Sequence, residues 1–561
     1  MLLPKLEALR ERLAETPERL ALIARLAQQS GMIWNVSLAG GLELVRALAS
    51  GAQNPSLIYR LHGKNLPDRP ALVHRSGALT FGELDARIDR VALALTRLGV
   101  GRGKSFLVML RNRPEVVILS TTAARMGAAA VPISWRSTAR ELAYLANHSG
   151  ASALFVEADL LGVAQDARSS FDSRELANNV FVVGAEGAVD GEGARSFEGL
   201  LQGEGGRYSG RPGTEDDASV VIYTSGTTGK PKGAVRKFPK DAFPAAIRFL
   251  LETPLQQSDV HLVACPLYHS TAFGFLSLSH ILGSTAVILD EFKPELFLAA
   301  VSEHRISTAA VVPTMLHRVL ALPEEVRRRY DTRSLRAVFS GGAPLSGTLA
   351  LAFMDVFGDV LHNFYGATET GLVTLARPED LRAAPGTIGR AVPGNQVRLL
   401  GEDGKPVGRG EVGELYVKNQ MLIAGYHHDE AATRSSMVDG FFSVGDLARV
   451  DPEGRYFIEG RKRDMIISGG VNVYPVELED VLASHPGIEE AAVVGVPDAE
   501  WGERVRAFVV RRSGSTLEEA ELKAWLRACL AGPKLPREIV FIDALPRNPT
   551  GKVLKRELSR A

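Results

Sequence analysis

Only two cysteines, Cys265 and Cys529, occur in the 561 residues. They stand far apart and outside any metal-ligand spacing, which speaks against a disulfide scaffold or a zinc site. Excess charge of one sign is also missing. Lys plus Arg and Asp plus Glu number 65 each, so no net field draws the chain to nucleic acid. No run approaches the roughly 18 consecutive apolar residues that a membrane span requires. The N-terminal "MLLPKLEALRERLAETPERL" scatters charge where the apolar core of a signal peptide would sit. A reducing cytoplasm is the compartment these absences predict. What remains, 45% hydrophobic and 23% charged residues, is the composition of a globular protein, and the length predicts at least two domains.

The first 55 residues read as a helical extension. Leu6, Leu9 and Leu13 share one helical face, and Leu20 and Ile23 mark a second helix. The more apolar "GMIWNVSLAGGLELVRALAS" is interrupted by Asn35, Glu43 and Arg46. Two readings follow: helices packed on the main body, or helices docked peripherally on a membrane surface. From about residue 70, short apolar runs alternate with helical segments. Thr80 and Glu83 form a capping box at a helix start. "SFLVMLRN", "ASALFVEA" and "NVFVVGA" read as buried strands between helical crossovers, hence an α/β domain with a largely parallel sheet. Residues 186 to 217, rich in Gly and charge, read mainly as surface loop. "GEVGELYVKN" and "GRYFIEGRKRDMIISGG" alternate as antiparallel strands do, and the last hundred residues read as a small α+β unit.

The most distinctive stretch is "YTSGTTGKPKGAV", residues 223 to 235. It fails the Walker A pattern: Gly226 and Gly229 are too close, Pro231 follows Lys230, and "GAV" after Lys232 continues as a strand. The spacing predicts a strand–loop–strand hairpin. Its glycines let backbone wrap an anion. The hydroxyls of Thr224, Ser225, Thr227 and Thr228 can donate to phosphate oxygens, with Lys232 offsetting their charge. A solvated Ser/Thr/Gly turn is the plain alternative.

"YTSGTTGKPKG" resembles the phosphate loop of the adenylate-forming enzymes: acyl-CoA synthetases, luciferases and the adenylation domains of peptide synthetases. The resemblance runs from about residue 60 to 561, with further motifs in family order. It implies a large N-terminal domain of α/β subdomains with a β-rich portion, residues 56–460, and a small mobile α+β C-terminal domain, residues 461–561. "SGGAPL" resembles the adenine-side loop, with Gly341, Gly342, Ala343 and Pro344 against the base. In "NFYGATETGL", Tyr365 and Gly366 match the adenine contact, Thr368 would reach phosphate or acyl-adenylate, and Glu369, with Thr224, would hold Mg²⁺. Asp446 resembles the acceptor for the ribose hydroxyls; Val444 stands where many members have Thr. Arg461 would reach the ribose or α-phosphate side. Arg463 matches the domain pivot, usually Asp or Lys, and Gly470 the glycine that lets the pantetheine arm pass. Lys552, in "PTGKVLK", matches the lysine that bridges carboxylate and α-phosphate in adenylation. His269 resembles a position lining the acyl side and the pantetheine tunnel. Trp501 matches a contact to the CoA nucleotide, with Lys534 and Arg537 placed to reach its phosphates.

Within the family the residues imply a carboxylate–CoA ligase using ATP, Mg²⁺ and coenzyme A. No acidic residue lies between Cys265 and His280 to anchor an amino-acid substrate, and no insertion follows the hinge. The extra N-terminal helices and the apolar "FPAAIRFLLE" favour a fatty acid. An aryl or other acid, or loading of a carrier protein, are the alternatives. A non-catalytic nucleotide- or lipid-binding protein that keeps the fold, and a luciferase-like oxygenase, are alternatives of other classes.

Overall fold

The computed structural model describes residues 21–32, 37–50, 54–184, 193–202, 205–224, 231–237, 242–468, 471–498, 501–530, 534–547 and 553–560. Among these residues the strands form four sheets. The eight-stranded sheet runs, edge to edge, through Gly425–Tyr426, Lys232–Lys237, Ala218–Thr224, Ala129–Pro132, Ser105–Met109, Ala151–Glu157, Val180–Val183 and Ala194–Ser196. Its pairs are parallel except at the Gly425–Tyr426 end. Every residue of Ser105–Met109 and Ala151–Glu157 is buried, which is why these strands read as unbroken apolar runs rather than alternating ones. A nine-stranded sheet contributes the parallel strands Val260–Val263, Thr285–Ile288, Thr308–Val311, Ala337–Ser340 and Leu361–Ala367. Six short antiparallel strands between Gln396 and Arg461 form the β-rich portion. A five-stranded sheet between Ile466 and Phe541 is the core of the small C-terminal domain.

The helix Phe81–Arg97 starts at Thr80, whose side chain accepts from Glu83 N–H while Glu83 accepts from Thr80 N–H, the predicted capping box. Phe81, Leu84, Ile88, Val91 and Leu95 of its inner face are fully buried, each contributing about 1.5–3 kcal/mol over leaving it exposed. Arg125 is buried among the same helices. Its guanidinium lies 2.6 Å from Asp85 and 2.7 Å from Asp89, and Asp89 also pairs with Arg60 at 2.9 Å. This network ties the helix Leu57–Asn65 to the two α/β-domain helices behind it.

One expectation changes. Part of residues 186–217 is regular: Ala194–Ser196 adds a parallel edge strand beside Val180–Val183, and the helix Phe197–Leu200 drops Phe197 into the core. The reason is local, since one buried aromatic outweighs the Gly-rich composition around it. Leu6, Leu9, Leu13 and Leu20 lie outside the described residues. The helix Leu38–Ser50 packs on the body, with Glu43 buried against Arg207 and Ser37 Oγ 2.8 Å from Asn65 Oδ1. Its outer face stays bare: Leu38, Leu42 and Val45 are 85%, 53% and 62% exposed. Among the described residues no helix is long and apolar enough to cross a membrane.

Candidate active site

Strands Ala218–Thr224 and Lys232–Lys237 pair antiparallel, with Tyr223 opposite Gly233 and Thr224 opposite Lys232. The strands on either side of the Ser/Thr/Gly stretch therefore pair as the two arms of a hairpin, as the sequence predicts. Ser225, Gly226, Thr227, Thr228 and Gly229 lie outside the described residues, as does the Thr224 side chain. Lys232 Nζ sits 5.1 Å over the Tyr426 ring and 3.4 Å from the Asp429 carboxylate.

The short strand Gly425–Tyr426 zips onto the hairpin's outer edge, Tyr426 opposite Ala234. That pairing brings the Tyr426 hydroxyl to Glu369, where it donates to Oε1 at 3.0 Å. Glu369 is buried, and burial together with its negative charge pushes the Tyr426 phenol up, so it stays protonated as the donor. Beside Glu369, Thr368 Oγ1 lies 3.2 Å from Ser270 Oγ. His269 precedes Ser270 at the N-cap of the helix Ser270–Leu282. Burial lowers its imidazole to about 4, which keeps the ring neutral, and Nε2 has no hydrogen-bond partner among the described residues.

A second constellation forms where Leu361–Ala367 meets the β-rich sheet. Asp446 and Arg461 are cross-strand partners. Arg461 Nε lies 3.1 Å from Asp446 Oδ1, and the Tyr365 hydroxyl donates to Oδ2 at 2.7 Å. Burial first, then the Asp446 charge, holds the Tyr365 phenol far above its ordinary range. The Arg461 and Glu369 charges both act on this phenol, the first lowering it and the second raising it. Tyr365 is thus more than an aromatic face: it orients the carboxylate. Gly366 closes this corner, because a Cβ there would lie 2.0 Å from Gly371 O. Gly341 is equally constrained, its missing Cβ 2.4 Å from the Phe364 ring, while Gly342 and Pro344 are exposed and Ala343 half-buried at the rim.

Residues 60–427 match the AMP-binding enzyme family and residues 477–552 the AMP-binding enzyme C-terminal domain. This chain belongs to the AMP-binding enzyme family. A feruloyl-CoA synthase of Amycolatopsis sp is 36% identical over 497 residues, covering 88% of this chain and 96% of that protein. The long-chain-fatty-acid–CoA ligase FadD13 of Mycobacterium tuberculosis is 32% identical over 483 residues, covering 86% and 92%. The crystal structure of the anthranilate CoA ligase AuaEII in complex with anthranoyl-AMP superposes with a TM-score of 0.83 at 26% identity, covering 91% of this chain and 97% of that one. The family member described here is an AMP-forming acid–thiol ligase that uses ATP and CoA.

The residues fit Mg²⁺. That cation usually takes one or two protein carboxylates plus substrate phosphates rather than a full protein cage. Glu369 is such a carboxylate, and among the described residues no group of three or more His, Cys, Asp or Glu side chains could hold a metal alone.

Of the C-terminal candidates, Arg463, Trp501, Lys534 and Arg537 are among the described residues and make contacts within their own domain. Arg463 sits in the turn Lys462–Asp464 with its Nε 3.5 Å from Asp464. Trp501 lies under Arg537, 4.1 Å from guanidinium to ring centroid, with its indole N–H unpartnered. Lys534 forms an ion pair with Glu477 of the same domain at 2.7 Å. Gly470 and Lys552 lie outside the described residues. The flanks of Lys552 are anchored: Arg547 pairs with Glu490 at 2.7 Å, Lys555 with Glu479 at 2.6 Å, and Arg547 bridges to Val553.

Four contributors escaped the sequence reading: Tyr426, Asp429, Ser270 and Arg236. "GYHHDE" has no periodicity that marks it, and an arginine ending "KGAVR" reads as the polar face of an edge strand.

Proposed function

We propose that this ligase joins an apolar carboxylic acid to CoA in two steps: acid and ATP give acyl-AMP and pyrophosphate, then CoA gives acyl-CoA and AMP. The observation that carries the assignment of roles is the Tyr365–Asp446–Arg461 chain beside Glu369. It offers an oriented carboxylate for ribose hydroxyls and a cation for the α-phosphate side within reach of one acidic ligand. Glu369 would hold Mg²⁺, which when bound neutralises charge growing on pyrophosphate. The hairpin hydroxyls and Lys232 would bind phosphate oxygens, Thr368 the acyl phosphate, and neutral His269 the acyl side without repelling or attracting the carboxylate. Lys552 would enter between carboxylate and α-phosphate, where an ammonium relieves the repulsion of two anions. Rotation of residues 461–561 about Arg463 would then withdraw Lys552 and bring Gly470 and Trp501 to the thiol substrate.

The apolar helix Ala242–Leu251 supports a fatty acid. An aryl acid is the second reading, supported by the Phe275, Phe339 and Phe364 rings that pack 4.8 and 5.0 Å apart behind Gly341 and by the feruloyl-CoA synthase likeness. The bare Leu38–Leu42–Val45 face supports peripheral contact with a membrane surface, where a fatty acid would be met. AMP release over a panel of fatty and aryl acids, with and without CoA, tests the proposal. Acid- and CoA-dependent AMP is expected. Acid-dependent AMP without need of CoA would favour carrier loading, and no AMP with any acid would leave a non-catalytic binder.

A further inference from the structure

Arg236, on the strand Lys232–Lys237, is a half-buried cation that residue type and spacing do not single out. Its guanidinium hydrogen-bonds to two backbone carbonyls. One Nη donates to the Thr368 carbonyl at 2.6 Å, the other to the Met421 carbonyl at 3.0 Å. Thr368 O belongs to the peptide that enters Glu369. On the other side of Glu369, its own carbonyl accepts from Ile423 N–H at 2.9 Å. The segment from Met421 continues to Ala424, whose N–H donates to Val235 O at 3.1 Å, and to Tyr426, which holds the Glu369 carboxylate. Val235 adjoins Arg236 on the hairpin strand. These contacts close a ring: hairpin strand, guanidinium, Thr368–Glu369 turn, Tyr426, and back to the hairpin strand. Burial lowers the guanidinium to about 10 and the Glu369 charge pulls it back up, so it remains a cation at neutral pH.

We propose that Arg236 is a positioning residue for the adenylation step: its forked guanidinium locks the Thr368–Glu369 turn to the phosphate hairpin, so that the acidic ligand and the loop that binds the nucleotide phosphates are held in one register. The geometry calls for arginine. A planar fork presents two N–H donors to two carbonyls in fixed geometry; an ammonium, a point charge with rotatable donors on a flexible stem, fixes neither carbonyl against the other. Gly371 leaves room for this, since a Cβ there would lie 2.8 Å from Met421 and 3.8 Å from the guanidinium. The inference rests on the role proposed for Glu369.

The test uses the full-length enzyme with Arg236→Lys and Arg236→Gln, each alone and combined with Glu369→Gln. Four quantities are measured: ATP–pyrophosphate exchange, KM for the acid, thioester formation from supplied acyl-AMP and CoA, and binding of Mn²⁺ to the enzyme–ATP complex by its paramagnetic resonance signal. Expected are an exchange rate at least about tenfold lower, Mn²⁺ binding about fivefold or more weaker, an acid KM within about twofold of wild type, and thioester formation preserved. In the Glu369→Gln background, replacing Arg236 should weaken Mn²⁺ binding no further. Unchanged exchange, equal loss of both half-reactions, or the same loss of Mn²⁺ binding with and without Glu369 would overturn the proposal. Wild-type enzyme that exchanges no pyrophosphate with any acid would instead overturn the proposed function.

Discussion

Acid should destabilise this enzyme below pH 6.5, because several histidines are buried as neutral rings, His261, His280 and His362 among them. His261, His280 and His362 are 1%, 0% and 5% exposed, and burial lowers them to about 3, 4 and 4. His280 shows why. Its Nε2–H donates to Ala71 O at 3.1 Å and its Nδ1 accepts from the Tyr59 hydroxyl at 3.0 Å, so a second ring proton would face another donor. The unfolded chain protonates these rings near 6.5 and the folded chain does not. Their contribution is therefore complete above pH 6.5 and is lost as pH falls through that value toward 4. At pH 5 each histidine withdraws about 2 kcal/mol, so the three together withdraw about 6 kcal/mol, a large share of a typical domain's 5–15 kcal/mol. Between pH 6 and 5 these three histidines alone should lower the unfolding free energy by up to about 4 kcal/mol per pH unit, the slope of three protons taken up on unfolding. Denaturant unfolding at pH 7.5, 6.0 and 5.0, with proton uptake measured alongside, checks this. A free energy that is flat from pH 7.5 to 5.0 would refute the reasoning.

Other perturbations separate fold from chemistry. Arg125→Met leaves Asp85 and Asp89 without their shared partner at 2.6 and 2.7 Å, and should cost about 3–5 kcal/mol in denaturant unfolding while leaving the acid KM of the surviving fraction unchanged. Tyr365→Phe removes the 2.7 Å bond to the Asp446 carboxylate and should weaken ATP binding by about tenfold, a charged hydrogen bond contributing about 1.5–3 kcal/mol, as calorimetric titration would read. Lys552→Ala should abolish pyrophosphate exchange yet spare thioester formation from supplied acyl-AMP; equal loss of both steps would contradict its role. Arg463→Pro should slow thioester formation more than adenylation, read by single-turnover kinetics of each half-reaction.

The parts of the molecule built from local rules were readable in the sequence. The Thr80–Glu83 cap, the buried parallel strands and the hairpin at Thr224–Lys232 follow from residue type and spacing over a few positions. Asp446 and Arg461 could be named because their motifs are short and continuous, and the cross-strand pairing then delivers both to Tyr365. What stayed hidden depends on long-range packing. Arg236 looks like a surface residue of an edge strand until Gly425–Tyr426 covers that edge. Tyr426 and Ser270 gain meaning only from meeting Glu369 and Thr368, 57 and 98 residues away in the chain. Phe197 was lost in a Gly-rich stretch because composition averages over the one residue that packs.

The account stands on formation of a mixed anhydride between the acid and the α-phosphate of ATP, and isotope transfer reads that bond directly. With a carboxylic acid labelled with ¹⁸O in both carboxylate oxygens, one full turnover with ATP and CoA should leave a single ¹⁸O in AMP and none in pyrophosphate. AMP without label, or label carried away in phosphate or pyrophosphate, would contradict it.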